Sequence, residues 1–522
     1  MERTAVGIDL GTSYSSVAVA DGERVQILAD EKGETLQPSV VWFPDKGAPL
    51  VGHEAKARLI NDPDNTVYSS KRLIGRKWNE PAVNHAKANF TYEVIEGPQS
   101  QPVARIRNQL VTMPEISALI LRHMRSIAEK RLGRPVQDAV ITVPANFNDA
   151  QREATRIAGQ IAGLNVLRMI NEPTAAALAF GYKRGYNATV AVYDFGGGTF
   201  DFTLLDIRDR VFRVVFTAGD TMLGGDDLDH ALATHLARKF WEATKIELQK
   251  SAAEWQRLLF SCEKAKCALT NTDSATVDVP RVAARDRQWL DLHATLTRAS
   301  AHALWVDYMR RTLDVCRLAM DEAHKTLHDV DDLLLIGGTT YLPLVRATVE
   351  HFFQRRPRGD VEPRTAVAVG AAIHAQSLVA PASPDPATAS ALLLDVLPLS
   401  IGIATAGGFM EKIIERGTHL PVEQTRVFST SYDGQQDVRV KIYQGESKKV
   451  AENTPIGELV MTGLRPAPRG TISIHVMFEV DTSGILNVSA VDQDSGRQIT
   501  QRVKISGELP AEQLGDLGRR FR

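Results

Sequence analysis

Two glycine-rich segments of the chain have the composition of phosphate-binding turns. They are "DLGTSYS" (residues 9–15) and "DFGGGTFD" (residues 194–201). Each opens on an aspartate after one apolar run and leads into another. Glycines let the backbone turn tightly and bring its N–H groups close to an anion, because no Cβ intervenes. One such segment alone is also typical of an ordinary β-hairpin turn, but two with the same order of residue types favour a clamp that holds a polyphosphate from two sides.

Charged side chains in and near these segments could serve phosphate transfer. Asp9 and Asp194 open the two turns, where their carboxylates could hold a magnesium ion through its waters. Lys71 in "SSKRLIG" could stabilise charge at a transferring phosphoryl group or orient water, although a solvated surface position is the default for any lysine. Glu172 in "INEPTAAA" precedes Pro173 at a helix start, so it could orient water or a metal ligand, or simply cap the helix.

Two glycine pairs are further candidates for nucleotide contacts. Gly337 and Gly338 in "IGGTTYLP" lie between a predicted strand and helix, and Gly224 and Gly225 in "GDTMLGGDDLD" precede a predicted helix. A nucleotide could bind at such points, but each pair alone is also typical of a plain turn. The patterns GxxxxGK[ST] and GxGxxG do not occur, which argues against those two phosphate-binding schemes.

Asp194-Phe195-Gly196 also spells the Asp-Phe-Gly triplet of protein kinases. A protein kinase needs a strand lysine in a VAIK context and an HRD catalytic loop in the right order, and the sequence contains neither. The triplet is therefore interpreted as coincidence. A small-molecule kinase that shares the two phosphate hairpins stays open as an alternative at this point.

Composition indicates a multidomain globular protein. The chain has 522 residues, of which 43% are hydrophobic and 24% charged, with a formal net charge of −2. This balance gives no electrostatic reason to expect nucleic acid or a membrane surface as a partner. Only three cysteines occur, which suggests a reducing compartment. No apolar run is long enough to span a bilayer, and the start of the chain does not resemble a leader. We therefore expect a cytoplasmic protein.

Periodicity divides the chain into two parts. Short β-rich runs alternate with helical stretches as far as about residue 380, which predicts an α/β architecture, including one long helical block from 226 to about 270. Residues 380–391 are rich in Pro, Ala and Ser and read as a linker. Alternating strands follow, with hairpin turns predicted at "YDGQ", "DTSGIL" and "DQDSGRQ". We expect an α/β domain at 1–379, a linker at 380–395, a β domain at 396–507 and a short helix at 508–522.

Together these motifs resemble the seventy-kilodalton heat-shock protein (Hsp70) chaperones. The resemblance covers residues 4 to about 506 and is carried, in the family's order, by "GIDLGTSYSSVAV", "KRLIG", "VITVPANFND", "INEPTAAALAFGY", "YDFGGGTFD", "GDTMLGGDDLD", "IGGTTYLP", "AVAVGAAIHA", "LLLDVLPLSIGI", "YQGE", "PAPRG" and "DTSGILNVSAVD". It implies an actin-like two-lobed ATPase domain followed by an all-β peptide-binding sandwich.

The resemblance also implies roles for individual residues at a nucleotide site. ATP or ADP and Mg²⁺ would be the cofactors, with K⁺ as a further candidate. Asp9 and Asp194 resemble the residues that hold the hydrated magnesium. The implied catalytic residues are Lys71, Glu172, Thr199 and Asp201. The implied nucleotide contacts are Gly11, Thr12, Ser13, Tyr14, Gly196, Gly197, Gly198, Thr199, Gly224, Gly225, Glu263, Lys266, Thr270, Gly337, Gly338 and Tyr341.

In the β domain the resemblance implies a groove for extended peptide. Its lining would be Ile403, Phe428, Val438 and Val440, with Ala406 and Ser431 where the family has a larger methionine and an alanine that arch over the peptide. Nucleotide state would be coupled to this groove through Pro144, Arg152, Arg168, Leu392, Leu393, Leu394 and Asp395.

Several positions depart from the family pattern. Ser13 and Tyr14 stand where threonine and asparagine are usual, and Asn146 replaces an aromatic residue. Tyr341 replaces an arginine that stacks on adenine, and Arg364 occupies a usually acidic position. The helical lid is expected to be essentially missing, apart from "LPAEQLGDLGRRFR". The chain thus resembles short, lid-poor, specialised bacterial members of the family.

The favoured function is an ATP-dependent molecular chaperone that hydrolyses ATP to control the binding and release of extended apolar segments of unfolded proteins. It would serve protein folding or a stress response. Expected partners are unfolded clients, a J-domain co-chaperone and a nucleotide-exchange factor, and we expect a monomer. The alternatives are the small-molecule kinase and a scaffold that binds nucleotide without hydrolysing it.

Overall fold

The computed structural model of the chain describes residues 4–22, 24–181, 187–380, 391–493 and 498–501. Strands and helices alternate as far as residue 380, and from residue 391 the described elements are strands and one short 3₁₀ turn. The chain is a mixed α/β protein with several sheets, in agreement with the architecture expected from the sequence. Among the described helices, none combines the length and apolar character that crossing a bilayer requires.

We call residues 4–181 the first lobe. Its elements, in chain order, are β1 (Ala5–Asp9), β2 (Tyr14–Asp21), β3 (Arg24–Ile27), β4 (Gln37–Pro38), β5 (Val41–Trp42), β6 (Leu50–Val51), α1 (His53–Lys56), β7 (Thr66–Val67), α2 (Pro81–Asn89), β8 (Glu93–Glu96), β9 (Pro102–Ile106), β10 (Gln109–Thr112), α3 (Met113–Leu132), β11 (Asp138–Val143), α4 (Asp149–Ile161), β12 (Asn165–Asn171) and α5 (Glu172–Gly181). The main sheet has the order β12-β11-β1-β2-β3, with β4 beside β2.

We call residues 187–380 the second lobe. Its elements are β13 (Ala188–Phe195), β14 (Phe200–Arg208), β15 (Val211–Asp220), α6 (Gly225–Thr244), α7 (Ala252–Ala268), β16 (Ser274–Arg285), β17 (Gln288–Thr297), α8 (Arg298–Glu322), β18 (Asp332–Ile336), α9 (Pro343–Phe353) and α10 (Ala366–Val379). Strands β18-β13-β14-β15 form its main sheet in that order. The strand β13 is completely buried, and its sequence, ATVAVYDF, is mostly apolar, as is typical of a strand covered on both faces.

The two glycine-rich segments lie in the turns of two equivalent hairpins. In the first lobe, β1 is antiparallel to β2 and parallel to β11. In the second lobe, β13 is antiparallel to β14 and parallel to β18. Each glycine-rich turn therefore follows the carboxyl end of a strand with a parallel neighbour, which explains the similar order of residue types in the two segments.

The long helical block predicted from residue 226 to about 270 is wrong as a single element. The structure has two helices, α6 and α7, separated by residues 245–251. Lys245 ends α6 with a left-handed backbone (φ 60°), and a 3₁₀ turn at Leu248–Lys250 buries Leu248 to 2% exposure. Because apolar periodicity continues on both sides of the break, the sequence pattern does not reveal it.

Residues 391–501 form one short strand and two four-stranded sheets. The strands are β19 (Leu392–Leu394), β20 (Ile401–Thr405), β21 (Phe409–Ile414), β22 (Val422–Ser429), β23 (Asp437–Gln444), β24 (Thr454–Thr462), β25 (Ser473–Val480), β26 (Leu486–Asp492) and β27 (Gln498–Gln501). The sheets have the orders β21-β20-β23-β24 and β22-β25-β26-β27. The inner faces of the two sheets share one buried apolar cluster that includes Ile442, Phe478 and Val488. We call these two packed sheets the sandwich.

Of the hairpin turns predicted in this region, the one at "DTSGIL" is confirmed and the one at "YDGQ" is wrong, while a third, predicted at "DQDSGRQ", falls largely outside the described residues. The "DTSGIL" turn joins the antiparallel pair β25 and β26, with Gly484 at φ 76°. The "YDGQ" segment instead joins β22 of one sheet to β23 of the other. A local turn signal cannot tell whether the chain returns to the same sheet or crosses to the facing one.

The predicted linker continues the sheet of the second lobe. Strand β19 runs parallel to β15, with Val211 opposite Leu392 and Arg213 opposite Leu394. Leu393 is 4% exposed and Leu392 is 54% exposed, so alternate side chains point into and away from the lobe. Most of the Pro/Ala/Ser segment (381–390) and the predicted terminal helix at 508–522 lie outside the described residues.

Candidate functional site

A cavity of about 680 Å³ lies between the two glycine-rich turns. The turn after β1 and the turn after β13 both contribute to its wall, so both lobes form it. The residues predicted from the sequence that line it are Asp9, Gly11, Thr12, Ser13, Tyr14, Lys71, Glu172, Asp194, Gly196, Gly197, Thr199, Gly225, Glu263, Lys266, Thr270, Gly337, Gly338 and Tyr341. The fold thus gathers residues from ten or more separate stretches of sequence around one space.

Gly198, Gly224 and Asp201 are not part of the lining of this cavity. A Cβ at Gly198 would lie 2.3 Å from the Thr12 side chain, and one at Gly224 would lie 2.2 Å from the Gly197 carbonyl oxygen. Those glycines therefore permit the close approach of backbone segments around the cavity. Asp201 lies behind the second turn, where its carboxylate accepts a hydrogen bond of 2.7 Å from Nδ2 of Asn146.

A buried ion pair lies at the wall of the cavity. Nζ of Lys71 is 2.5 Å from Oε1 of Glu172, and the two side chains are 6% and 9% exposed. Lys71 belongs to a 3₁₀ turn that follows Ser69, whose backbone is left-handed (φ 50°), and Glu172 is the first residue of α5. Lys71 is therefore not the solvated surface lysine that the sequence left open.

Carboxylates outnumber cations around this pair. Burial and the neighbouring Glu172 raise the pKa of Asp9 to about 7, against the opposing effects of Lys71 and Thr142. Burial and Glu172 likewise raise the pKa of Asp201 to about 7. The pKa of Asp194 is raised well above its ordinary value by burial, Glu172, Asp201 and Asp9. Four carboxyl groups thus share the single ammonium of Lys71, and the site needs additional positive charge to keep them ionised.

This charge distribution fits a hydrated divalent cation. Asp9 and Asp194 both line the cavity, each from the end of the strand that precedes a glycine-rich turn. Carboxylate oxygens are the ligands that Mg²⁺ accepts, directly or through its waters. A cation there would offset the mutual repulsion that raises the pKa values of these groups.

Asp226 joins the two lobes beside the two glycine-rich turns. Its carboxylate accepts hydrogen bonds from Oγ of Ser13 at 3.0 Å and from Oγ of Ser69 at 2.7 Å, both in the first lobe. Its own backbone N–H donates to the carbonyl oxygen of Gly197 at 2.8 Å. Asp226 therefore fixes the distance between the two turns from the start of α6.

Helix α7 forms another part of the cavity wall. Nζ of Lys266 donates to Oδ2 of Asp229 at 2.6 Å and to the carbonyl oxygen of Gly225 at 2.9 Å. Burial opposes the charge of Lys266, but Asp229 and neighbouring groups outweigh burial and raise its pKa. Glu263, one turn earlier, forms a 2.6 Å ion pair with Lys56 of the first lobe.

Tyr341 also lines the cavity, and neighbouring side chains hold its ring in place. Its hydroxyl donates a short hydrogen bond to the carboxylate of Glu362. The guanidinium carbons of Arg364 and Arg346 lie 5.5 Å and 5.7 Å from the ring centroid. An aromatic ring held in this way is suited to stack against a planar base.

Several cavity residues were not predicted as site residues from the sequence. Asp226 and Asp229 follow the Gly224-Gly225 pair, so their position at a helix start next to a glycine turn was the available signal. Asn271 follows Thr270, and Thr339 donates from Oγ1 to the carbonyl oxygen of Gly196 at 2.8 Å. Cys267 also lines the cavity, as does Arg364, which was noted in the sequence only as a departure from the family pattern.

The predicted groove residues divide by burial. Ile403 and Val440 are 5% and 6% exposed and belong to the core between the two sheets. Phe428 and Val438 are half-buried and pack against that core. Ala406 and Ser431, in the segments after β20 and β22, are exposed. The first four residues thus belong to, or pack on, one shared core, whereas the last two sit on connecting segments.

The predicted coupling residues lie where the sandwich contacts the lobes. The Arg152 guanidinium donates to Oδ1 of Asn171 at 2.8 Å, and to the carbonyl oxygens of Phe147, Ala145 and Ser483 at 3.0, 3.1 and 3.3 Å. Asp395 accepts from Nδ2 of Asn171 at 3.0 Å and from Oγ1 of Thr174 at 2.8 Å.

Two further predicted coupling residues lie in the same region. Pro144 is buried just before these contacts in the chain. Arg168 donates to the carbonyl oxygen of Thr482 at 3.3 Å.

A thiol at the cavity offers a direct test of its occupancy. Cys267 is exposed, whereas Cys262 and Cys316 are fully buried. We expect a maleimide to label Cys267 alone in the folded chain, and ATP to slow this labelling by occupying the adjacent space. The raised pKa of Cys267 makes the reaction slow near neutral pH and faster at higher pH. Mass spectrometry of Cys267→Ser provides the control, and equal labelling rates with and without ATP would contradict this assignment of the cavity.

Comparison with known protein families agrees with this geometry. A family model described as "Hsp70 protein" matches residues 5–519, nearly the whole chain. The match includes both lobes, the segment that joins them to the sandwich, and the sandwich itself. The chain therefore belongs to the Hsp70 family.

Proposed function

We propose that the chain is an ATP-dependent molecular chaperone that couples ATP hydrolysis to the binding and release of extended apolar peptide segments. Membership in the Hsp70 family supports ATPase and chaperone activity in general. The observation that carries the specific proposal is the buried Lys71–Glu172 pair beside two facing glycine-rich turns. A cation, a water-orienting carboxylate and two phosphate-binding turns are the groups that phosphoryl transfer to water requires.

In the proposed reaction, backbone N–H groups of the turns at 11–14 and 196–199 hold the phosphate chain. Lys71 stabilises the charge on the transferring phosphoryl group, while Glu172 and Thr199 orient the attacking water. Water forms the new bond to the γ-phosphorus, the bond to the β–γ bridging oxygen breaks, and ADP, inorganic phosphate and the proton released from the water leave. Asp9 and Asp194 would hold Mg²⁺ through its waters, and the ion would supply positive charge that offsets the charge of the phosphates.

We propose that the client peptide binds the sandwich beside β20 and β22. Phe428 and Val438 would offer apolar surface to one side chain, backed by the buried Ile403 and Val440, and the exposed backbone near Ala406 and Ser431 would pair with the peptide main chain. Support comes from Phe428 and Val438, which are half-buried and pack against the shared apolar core. A small hydroxyl at Ser431 and a methyl at Ala406 leave more room for a client than longer side chains would.

Coupling between the two activities would pass through α5. Glu172, next to Lys71, is the first residue of this helix, and Asn171, one residue earlier, donates to Asp395 at 3.0 Å. Thr174, in the first turn of the same helix, donates to Asp395 at 2.8 Å. Asp395 directly follows β19. A displacement of Glu172 on hydrolysis would therefore move two hydrogen-bond donors that hold the start of the β region.

ATP turnover with and without an apolar heptapeptide tests this function. We expect phosphate release to water, and faster release when the peptide is present, because peptide binding would weaken the contacts that hold the sandwich on the lobes. A heptapeptide with its apolar residues replaced by serine serves as the control. Phosphate transfer to a small acceptor instead of water would favour the small-molecule kinase, and ATP binding without turnover would favour the scaffold.

Lys71→Ala isolates the proposed chemical step. We expect kcat for ATP hydrolysis to fall by at least about 100-fold, because the developing charge loses its cation, while ATP affinity changes by a few fold at most. The matched control is Lys32→Ala. The Lys32 side chain is 69% exposed and forms its 3.4 Å ion pair with Glu54, which is also exposed, so this variant removes a lysine from an ion pair outside the buried site. Turnover by Lys71→Ala equal to that of the unaltered chain would refute the role of this lysine.

Asp149 makes the contact between lobes and sandwich sensitive to pH. Its Oδ1 accepts from the backbone N–H of Leu486 at 2.7 Å, and its own N–H donates to Oε1 of Gln444 at 3.1 Å. Burial raises the pKa of Asp149 from 3.8 to about 7; Glu153 and Asp481 add to this, whereas the Leu486 N–H and Arg152 oppose it. We call the form in which the sandwich contacts the lobes the docked form. Between about pH 4 and 7 the docked form keeps the carboxyl group of Asp149 protonated, whereas the undocked form has released this proton.

Docking should consequently weaken as pH rises from 4 to 7 and stay constant above 7. The steepest slope is about tenfold per pH unit, corresponding to one proton. Hydrogen-exchange protection of residues 392–394, corrected for intrinsic exchange, reports docking. In Asp149→Asn, which keeps the acceptor for Leu486, we expect this slope to disappear; an unchanged slope would assign it to other groups.

A further inference from the structure

Arg298 makes four hydrogen bonds to the five-residue turn that follows α7. Its Nε donates to the carbonyl oxygen of Leu269 at 2.9 Å, Nη2 to that of Thr270 at 3.2 Å, and Nη1 to Oδ1 of Asp273 at 2.7 Å. Its backbone N–H donates to the carbonyl oxygen of Asp273 at 2.9 Å. One residue at the start of α8 therefore holds both ends of the turn.

The turn carries part of the cavity wall. Thr270 and Asn271 both line the cavity, as do Cys267 and Tyr341. The last carbonyl groups of a helix lack partners within the helix, so something outside must satisfy them. In the described part of the chain, the carbonyl oxygens of Leu269 and Thr270 accept hydrogen bonds from Arg298 alone.

The charge of Arg298 also suits this place. The carboxyl end of α7 carries the negative end of the helix dipole, and a guanidinium there is stabilising. The Arg298 side chain is 29% exposed, while Asp273 is 94% exposed, so much of the guanidinium is removed from water and committed to the turn. A planar group with several fixed donors holds two successive carbonyls in one geometry, which a flexible ammonium cannot do equally well.

We propose that Arg298 is a positioning residue for the base-binding end of the nucleotide site. It does not contact the ligand itself. It fixes the turn 269–273 so that Thr270 and Asn271 meet the edge of a purine base whose face lies against Tyr341. The proposal rests on the nucleotide-binding function inferred above, and it adds a residue from outside the cavity to that site.

A direct titration with two ligands tests the proposal. Dissociation constants for Mg·ATP and Mg·tripolyphosphate are measured by calorimetry on the full chain and on Arg298→Ala. Tripolyphosphate occupies the phosphate-binding turns but has no base. We expect the constant for ATP to rise about tenfold in Arg298→Ala, as for the loss of a hydrogen-bonded anchor. The constant for tripolyphosphate and kcat at saturating ATP should stay within about twofold.

Arg257→Ala is the matched control. Arg257 lies on α7 and donates from Nη1 to the carbonyl oxygen of Arg281 at 3.0 Å and from Nη2 to that of Pro280, and neither carbonyl belongs to the cavity. Arg257→Ala removes the same type of interaction, an arginine that donates to two carbonyl oxygens, from another part of the second lobe. We expect ATP affinity in Arg257→Ala to match that of the unaltered chain.

Two milder variants keep the test informative if Arg298→Ala folds poorly. Arg298→Lys should recover part of the ATP affinity, since one ammonium can still reach a carbonyl. Asp273→Asn leaves Arg298 in place but weakens the anchor at Nη1, and should raise the ATP constant by a smaller factor without affecting tripolyphosphate.

The possible outcomes separate this proposal from the chaperone function. Equal losses for both ligands, or no loss for ATP, in Arg298→Ala and the milder variants would overturn the positioning role. ATP binding without hydrolysis by the unaltered chain would contradict the proposed ATPase activity while leaving the ratio of the two constants decisive for Arg298. If the unaltered chain binds no ATP, both the proposed function and the positioning role of Arg298 are overturned.

Discussion

The buried pair of Lys71 and Glu172 is the interaction on which the rest of the site depends. Its atoms are 2.5 Å apart, and both side chains are largely removed from water, so breaking the pair would leave an uncompensated buried charge. Asp9, Asp194 and Asp201 add three carboxyl groups with raised pKa values around it. Because these groups come from both lobes, bringing the lobes together also brings like charges together. Positive charge supplied with a ligand would offset that cost, which links occupancy of the cavity to lobe closure.

Contacts that cross between the lobes surround the same cavity. Ser13 and Ser69 of the first lobe donate to Asp226 of the second, and Lys56 pairs with Glu263. A motion that separates the lobes would break these bonds. Occupancy of the cavity and the relative position of the lobes are therefore expected to influence each other.

Two parts of the cavity wall are built on different principles. At the glycine-rich turns, backbone groups approach closely, and the packing of Gly198 and Gly224 against neighbouring atoms excludes any larger residue. Along α7 and the turn that follows it, side chains line the cavity, and Arg298 satisfies carbonyl groups of that turn. Glu172, which pairs with Lys71, is the first residue of α5, and Thr174 of the same helix donates to Asp395. The ion pair at the cavity and the contact with the β region are thus adjacent in the chain.

Local sequence patterns determined a large part of this protein. Apolar runs that end in glycine turns were enough to predict both hairpins and to suggest that their turns share one site, because hairpin geometry depends on neighbouring residues. Motif order also indicated the family and the mixed α/β character. The same patterns failed at residues 245–251 and at "YDGQ", since neither a helix break under continued periodicity nor a crossing between sheets has a local signature. Asp226 and Arg298 act through partners brought near by the fold: Ser13 is 213 positions from Asp226, and Thr270 is 28 from Arg298. Contacts between residues so far apart in the sequence depend on how whole helices and strands pack, so only the folded structure reveals them.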